Sequence, residues 1–162
     1  MQHEGGNSSG FFACTLTVTD VCTGWTEVRA VRTKAQKFVF AAVKHIRTNL
    51  PLALRGIDSD NGEEFINDQL LRYCTQEHLV FTRGRVGRKN DNAFVESKNL
   101  SVVRRLVGYG RFDTQRQVDQ LNALMERPLF AALQRVKDAP SCGVSLIRES
   151  LSPCDQTDCQ ST

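Results

Sequence analysis

Two patterns of hydrophobic positions follow one another along the chain. Residues 11–19 and 25–31 alternate apolar and polar side chains with period two, which predicts two half-buried strands. The short turn at 20–24 between them predicts an antiparallel hairpin. From Lys34 the apolar positions recur every three to four residues, which predicts an amphipathic helix that ends at Pro51.

The remaining pattern alternates short apolar runs with helical periodicity. It predicts a strand at 52–57, a helix at 63–74, a buried strand at 79–82, a helix at 92–109 and a last helix from Thr114 through Met125. Strand, helix and strand in succession are typical of a parallel α/β sheet. The Gly/Ser-rich start at 1–10 predicts a loop, and the Ser, Thr, Pro and Cys in 138–162 predict a disordered tail.

Composition limits the class of protein. The chain has 162 residues, 40% of them hydrophobic and 24% charged, which fits one globular domain or one domain with a tail. No apolar run approaches the roughly 18 residues of a membrane span, and the first residues lack the pattern of a signal peptide. Six cysteines without a Cys-x-x-Cys spacing then indicate reduced thiols, not a zinc site, and we expect a cytoplasmic protein without a membrane partner.

Charge alternates along the chain although the net charge is only +3. Residues 28–57 carry seven basic residues and no acid, 58–77 carry six acids and one arginine, and 83–116 carry nine basic residues and three acids. This order suits an anionic polymer that lies around an acidic, cation-binding centre. Ordinary solvated surfaces remain the alternative.

Two carboxylates stand where such a centre needs them. Asp60 follows a predicted strand, at the edge of the sheet where ligands bind in open α/β folds. Glu96 lies on the helix after the basic loop and shares a predicted polar face with Asn92 and Asn99. Carboxylates beside a basic rim suit Mg²⁺ when phosphates complete its coordination shell.

Several motifs together resemble the DDE integrase/transposase catalytic core. They are Asp60-Asn-Gly with Phe65, the thirty-five residues between Asp60 and Glu96, and Asn90-Asp-Asn-Ala-Phe-Val-Glu-Ser-Lys-Asn99. The similarity to bacterial insertion-sequence transposases extends through 17–25, 56–62 and 102–111 and covers about residues 3–122. It implies an α/β fold, a ribonuclease-H-like mixed sheet flanked by helices, and a role in DNA integration.

The resemblance also assigns the acids. Two aspartates and a glutamate of this family hold two divalent metals, Mg²⁺ or Mn²⁺, for phosphoryl transfer. By resemblance Asp60 is the second acid and Glu96 the third. The first belongs on a strand that should end just before the segment resembling His3–Gly6, so the resemblance implies that this acid is absent. Asp20 is a possible substitute ligand, and its alternative role is to cap the turn at 20–24.

The absent strand has structural and functional consequences. It is the central strand of the resembled fold, so we expect two unfilled strand edges unless residues 1–10 or a partner's strand fill the gap. We also expect an incompletely held metal pair and no catalysis. Whether the chain is an enzyme therefore stays open; the alternatives are a non-catalytic DNA-binding remnant that interferes with an intact transposase, or an RNase-H-like nuclease.

These expectations divide the chain and name its partners. Residues 1–122 form the core-like domain, and 123–162 form a divergent helix and a disordered tail. The partners are DNA and, in an oligomer, a second copy or an intact transposase, in the bacterial cytoplasm at the nucleoid. The expected DNA contacts, with a solvated loop as the alternative for the basic ones, are Arg83, Arg85, Arg88, Lys89, Asn92, Lys98, Asn99, Arg104 and Arg105.

Overall fold

The computed structural model describes residues 1–51, 53–59, 68–84, 93–126 and 146–150. Five strands form one mixed sheet in the order β2-β1-β5-β3-β4. The strands are β1 (Cys14–Asp20), β2 (Thr26–Val31), β3 (Gly56–Ser59), β4 (Val80–Arg83) and β5 (Leu146–Ser150).

The pairing confirms two predictions from the sequence. β1 and β2 form the antiparallel hairpin, in which Cys14 pairs with Val31 and Thr19 with Thr26. β3 and β4 pair in parallel, with Gly56 beside Val80 and Ser59 beside Arg83. Each pair has one edge turned toward the middle of the sheet, and β5 joins these two edges.

β5 corrects the expectation of an unfilled central gap. It runs antiparallel to β1, with Thr17 beside Ser150 and Asp20 beside Ile147. It runs parallel to β3, where Ile147 also lies beside Ile57. The predicted disorder of 138–162 is therefore wrong for 146–150, because pairing on both sides supplies the hydrogen bonds that a short sequence pattern alone does not reveal.

The helices follow the predicted periodicity closely. α1 (Gln36–Asn49) buries Val39, Ala42, Val43 and Ile46 on one face and ends two residues before Pro51. α2 spans Asp68–Gln76, and α3 (Ala93–Lys98) continues through a π-helical segment, Asn99–Arg104, into α4 (Arg105–Val107). α5 (Gln115–Met125) begins at a capping box formed by Thr114 and Gln117. None of the helices in the described part of the chain is long and apolar enough to cross a membrane.

Helices cover both faces of the sheet. One core joins α1 and α2 to Leu16, Val18 and Ile57, and a second core joins the π-helical segment and α5 to Val28 and Ala30. We name these faces the α1 face and the α3 face. Since successive strand residues point to opposite faces, Leu16 and Val18 face α1 while Thr17 faces α3.

Burial on both faces corrects the prediction that β1 is half-buried. All seven of its residues are buried, because β1 lies inside the sheet with helices above and below. Its threonines find internal partners: Thr15 Oγ1 lies 2.6 Å from His3 Nε2, Thr17 Oγ1 donates to Asn99 Oδ1 at 2.6 Å, and Thr19 Oγ1 lies 3.2 Å from Thr26 Oγ1. Alternating polarity here reflects hydroxyl pairing, not exposure to solvent.

Two further features of the strands differ from the prediction. β3 begins at Gly56 and ends at Ser59, whereas the predicted strand was 52–57. Its last residue immediately precedes Asp60 in the sequence. β4 is not buried as predicted, because it is the outer strand of the sheet and Val80 is 59% exposed.

Candidate functional site

Part of the predicted site lies outside the described residues. These positions are Asp60, Arg85, Arg88, Lys89 and Asn92. The described part of the predicted site comprises Glu96 and its helix, the end of β3, Asp20, and the basic residues Arg83, Lys98, Arg104 and Arg105.

Glu96 lies in solvent on α3, which packs against β1 and β5 on the α3 face. Asn99, three residues further along, is buried and accepts the hydrogen bond from Thr17. The predicted polar face is thus divided: Asn99 fixes the helix to the sheet, and Glu96 stays accessible. Burial and this hydrogen bond make Asn99 a positioning residue for the helix, and its predicted DNA contact stays a prediction.

The end of β3 is a buried polar position. Asp58 is 8% exposed, and its carboxylate accepts a 2.8 Å hydrogen bond from Thr82 Oγ1 on β4. Ser59 is also buried, and its hydroxyl has no hydrogen-bond partner among the described residues. Asp60 therefore follows, in the sequence, a strand that is buried and paired on both sides.

Asp20 has the turn-capping role that the sequence offered as its alternative. Its Oδ2 accepts hydrogen bonds from the backbone N–H of Thr23, at 2.9 Å, and from the Thr23 hydroxyl. Its Oδ1 is buried and has no partner among the described residues. Two residues from Val18 on β1, Asp20 belongs to the α1 face, opposite the helix that carries Glu96.

The described residues contain no cluster of metal-ligating side chains. Within 1–51, 53–59, 68–84 and 93–126 no three His, Cys, Asp or Glu side chains lie close enough together to hold an ion. Asp20 and Glu96 belong to opposite faces of the sheet, which explains why they do not combine. A metal ligand set that includes Asp60 stays a prediction.

The basic residues differ in what they can offer to a phosphate. Arg83 and Arg105 are exposed, and Lys98 is half-buried. The Arg104 guanidinium instead stacks 4.4 Å from the centre of the Tyr109 ring and donates to the carbonyls of Gln2 and Gly108. Arg104 thus holds the N-terminal segment in place, and its predicted DNA contact stays a prediction.

The described basic residues on the helices of the two segments lie on different faces of the sheet. α1 carries Lys37, Lys44 and Arg47 on the α1 face. Lys98 lies in α3 and Arg105 in α4, on the α3 face. Arg47 is also occupied, because it donates 2.7 Å to Tyr73 Oη and pairs with Glu77 at 2.9 Å. The hydrogen bond to Tyr73 raises the pKa of Arg47 further, with a smaller contribution from Glu77.

Sequence reasoning missed the contacts that organise residues 1–10. The Arg111 guanidinium donates to the carbonyls of Glu4, Asn7 and Ser9. His3 is fully buried beside Phe112, and burial lowers its pKa to about 4, helped by the charged N-terminus and Arg104. The spacing of residues in the sequence does not predict these contacts, because Arg111 lies more than 100 residues along the chain from the carbonyls that it binds.

Comparison with known proteins adds one curated relative. No family model matches the chain. The uncharacterized protein y4rM of Sinorhizobium fredii (strain NBRC 101917 / NGR234) is 48% identical over 109 residues, which are 67% of this chain and 31% of that protein. The chain therefore spans about a third of the length of the curated relative it matches.

Two solved structures are similar in fold to most of the chain. The catalytic core domain of BIV integrase superposes with a TM-score of 0.55 and 17% identity over 81% of this chain and 80% of that one. A chain of the simian T-cell lymphotropic virus intasome in complex with PP2A regulatory subunit B56 gamma gives 0.54 and 13%, over 80% and 45%. The chain thus has the mixed α/β, ribonuclease-H-like fold of an integrase catalytic core.

Proposed function

We propose that this chain is a DNA-binding core domain of the integrase and transposase type, related to DNA integration but without catalytic activity of its own. The observation that carries the proposal is the integrase-core fold together with the position of Glu96, exposed on a helix that crosses the central strands. The motif around Glu96 and the one around Asp60 support the same assignment.

The proposed lack of catalysis rests on the set of candidate acids. A two-metal site needs ligands that reach both ions, and Mg²⁺ requires nearly ideal octahedral geometry. Asp60 and Glu96 are the two candidate ligands, and a third acid is needed beside them. Asp20 is unsuited to that role because it caps the turn on the opposite face of the sheet. A loosely bound single Mg²⁺ or Mn²⁺ is the most that this set supports.

A cleavage assay tests the catalytic part of the proposal. Labelled duplexes that carry the ends of a related insertion element are incubated with Mn²⁺ and the wild-type chain or the Glu96→Gln variant. We expect the same background nicking from both, because no described acid completes a ligand set with Glu96. Cleavage by the wild type that Glu96→Gln abolishes would overturn the proposal. Circular dichroism of both chains ensures that the variant is folded.

The DNA-binding part concerns the α3 face. Phosphate contacts release counterions, so about five contacts would give a slope of log K against log salt near −4 to −5, with little sequence preference. Arg105→Ala should make this slope shallower by about 1. Lys37→Ala removes the same charge from an exposed position on the α1 face and is the matched control.

Fluorescence anisotropy with duplexes of random sequence measures both slopes. We expect the Lys37→Ala slope to equal that of the wild type. Equal effects of the two substitutions would mean that net charge and not a surface governs binding. Absence of binding at low salt would remove the DNA-binding proposal altogether. A chain that binds DNA in this way would reside at the nucleoid and could enter mixed assemblies with an intact transposase.

A further inference from the structure

β5 differs from the other strands in how it is connected. β1 and β2 are joined by a short turn, and β3 and β4 are joined through α2. β5 follows α5, the helix described before it, at a longer separation in the sequence, from Met125 to Leu146. It is nevertheless the central strand, paired on both sides.

The space that β5 fills has a defined direction and register. On one side it offers the backbone groups of 17–20, which take an antiparallel strand. On the other side it offers those of 56–59, which take a parallel strand. We call this space the strand slot. Within the described residues, β5 is the sole strand that pairs with these two inner edges.

The slot binds a strand through its main chain. Leu16 and Val18 on one wall and Ile57 on the other are at most 3% exposed, so the walls are already packed from the α1 face. Backbone groups along both walls need partners because such buried groups are costly to leave unpaired. Any extended segment that runs in the same direction and presents free N–H and C=O groups can supply them, as in β-strand addition.

We propose that the strand slot is an interaction site for an extended segment, occupied in cis by residues 146–150 and open to the same segment of a second copy in trans. The contacts are the same in both arrangements, as in other domain-swapped proteins, so concentration and the connector decide between them. Because it belongs to the same chain, the tethered strand acts at an effective concentration on the order of millimolar. The closed monomer therefore dominates at micromolar concentration, and weakening the tethered strand exposes the slot.

The test uses the full chain and a fluorescent peptide of residues 143–153. Ile147→Pro in the chain removes the backbone N–H of the β5 residue that lies between Asp20 and Ile57 and disables the tethered strand. We expect the peptide to bind this variant at least tenfold more tightly than the wild type, because the tethered competitor is lost. The same peptide with proline at 147 is the matched control and should not bind. Equal, weak binding of the peptide to both folded chains would overturn the proposal.

Cysteine trapping covers the case in which Ile147→Pro does not fold. Ser59 and Glu149 lie side by side in the register, and Ser59→Cys changes one atom of a hydroxyl without a described partner. A chain with both Ser59→Cys and Glu149→Cys should cross-link within itself at micromolar concentration. A mixture of the two single variants, concentrated to the millimolar range, should form a disulfide-linked dimer. Absence of the mixed dimer while the double variant cross-links would refute occupation in trans.

Discussion

The buried His3 side chain makes the folded chain less stable in mildly acidic solution. Its ring is fully buried, and its Nε2 lies 2.6 Å from Thr15 Oγ1. The ring also packs edge-on against the Phe112 ring, with 5.4 Å between the ring centres. Desolvation disfavours the charged ring, and the positive N-terminus and Arg104 act in the same direction. The pKa of His3 is therefore about 4 in the folded chain, against 6.5 for an ordinary histidine.

The sign of the effect follows from which state binds the proton. Above pH 6.5 the ring is neutral in both states and the folded chain keeps its full stability. Between pH 6.5 and 4 the unfolded chain binds a proton that the folded chain rejects, so the free energy of unfolding falls as pH falls. At about 1.4 kcal/mol per pH unit the loss reaches about 2.5 kcal/mol at pH 4.5. That is a large share of the roughly 5–15 kcal/mol typical of a domain.

Urea unfolding of the wild type and His3→Gln, from pH 7.5 to 4.5, isolates this effect from the titration of carboxylates. The variant loses the ring contact with Phe112 and should be less stable at pH 7.5. Its disadvantage should shrink or reverse by about 2.5 kcal/mol at pH 4.5, because glutamine does not titrate. His78→Asn is the control, since His78 is exposed and asparagine tolerates its positive φ of 54°. Parallel pH profiles for the wild type and His3→Gln would refute the reasoning.

Two further predictions test the contacts that hold α5 to the sheet and residues 1–10 to Arg111. Asn122→Ala should lower the free energy of unfolding by about 2 kcal/mol in denaturant titrations. The Asn122 amide accepts a hydrogen bond from the Ala30 N–H at 2.8 Å and donates one to the Ala30 carbonyl at 3.1 Å, and both are lost. A loss below about 0.5 kcal/mol would contradict this. Gly5→Ala should cost more thermal stability than Gly6→Ala, since both glycines have positive φ but a Cβ at Gly5 would lie 2.7 Å from Arg111 Cβ while Gly6 has open space. Equal melting temperatures for these two variants would show that residues 1–10 are not held as described.

Local patterns predicted the elements whose cause is local. The α1 periodicity, the hairpin and the β3–β4 pair follow from spacing within a few dozen residues, and the structure confirms them. The position of β5 could not be predicted, because five residues of mixed polarity acquire strand structure only from two distant edges. The burial of Thr15 and Thr17 was also hidden, since their partners His3 and Asn99 come from other elements.

The candidate site shows the same limit. The sequence predicted a helix that carries Glu96, and α3 contains it. Spacing alone grouped Asn99 with it, but the helix turns Asn99 toward Thr17 in the sheet. Charge counts grouped the two basic segments, whereas the sheet separates α1 from α3. Charge along a sequence does not record on which side of a sheet each helix packs.

The central position of β5 sets the order of events during synthesis. Its partner strands at 14–20 and 56–59 leave the ribosome roughly 90 or more residues before it does. At about 5–20 residues per second, the two halves of the sheet wait several seconds before they can be joined. Closing such long loops is slow, so folding should be limited by this last pairing and not by the helices. Until then the inner edges of β1 and β3 are unpaired in the nascent chain. Pairing of residues 146–150 with both edges prevents these edges from pairing with other nascent chains on the same polysome.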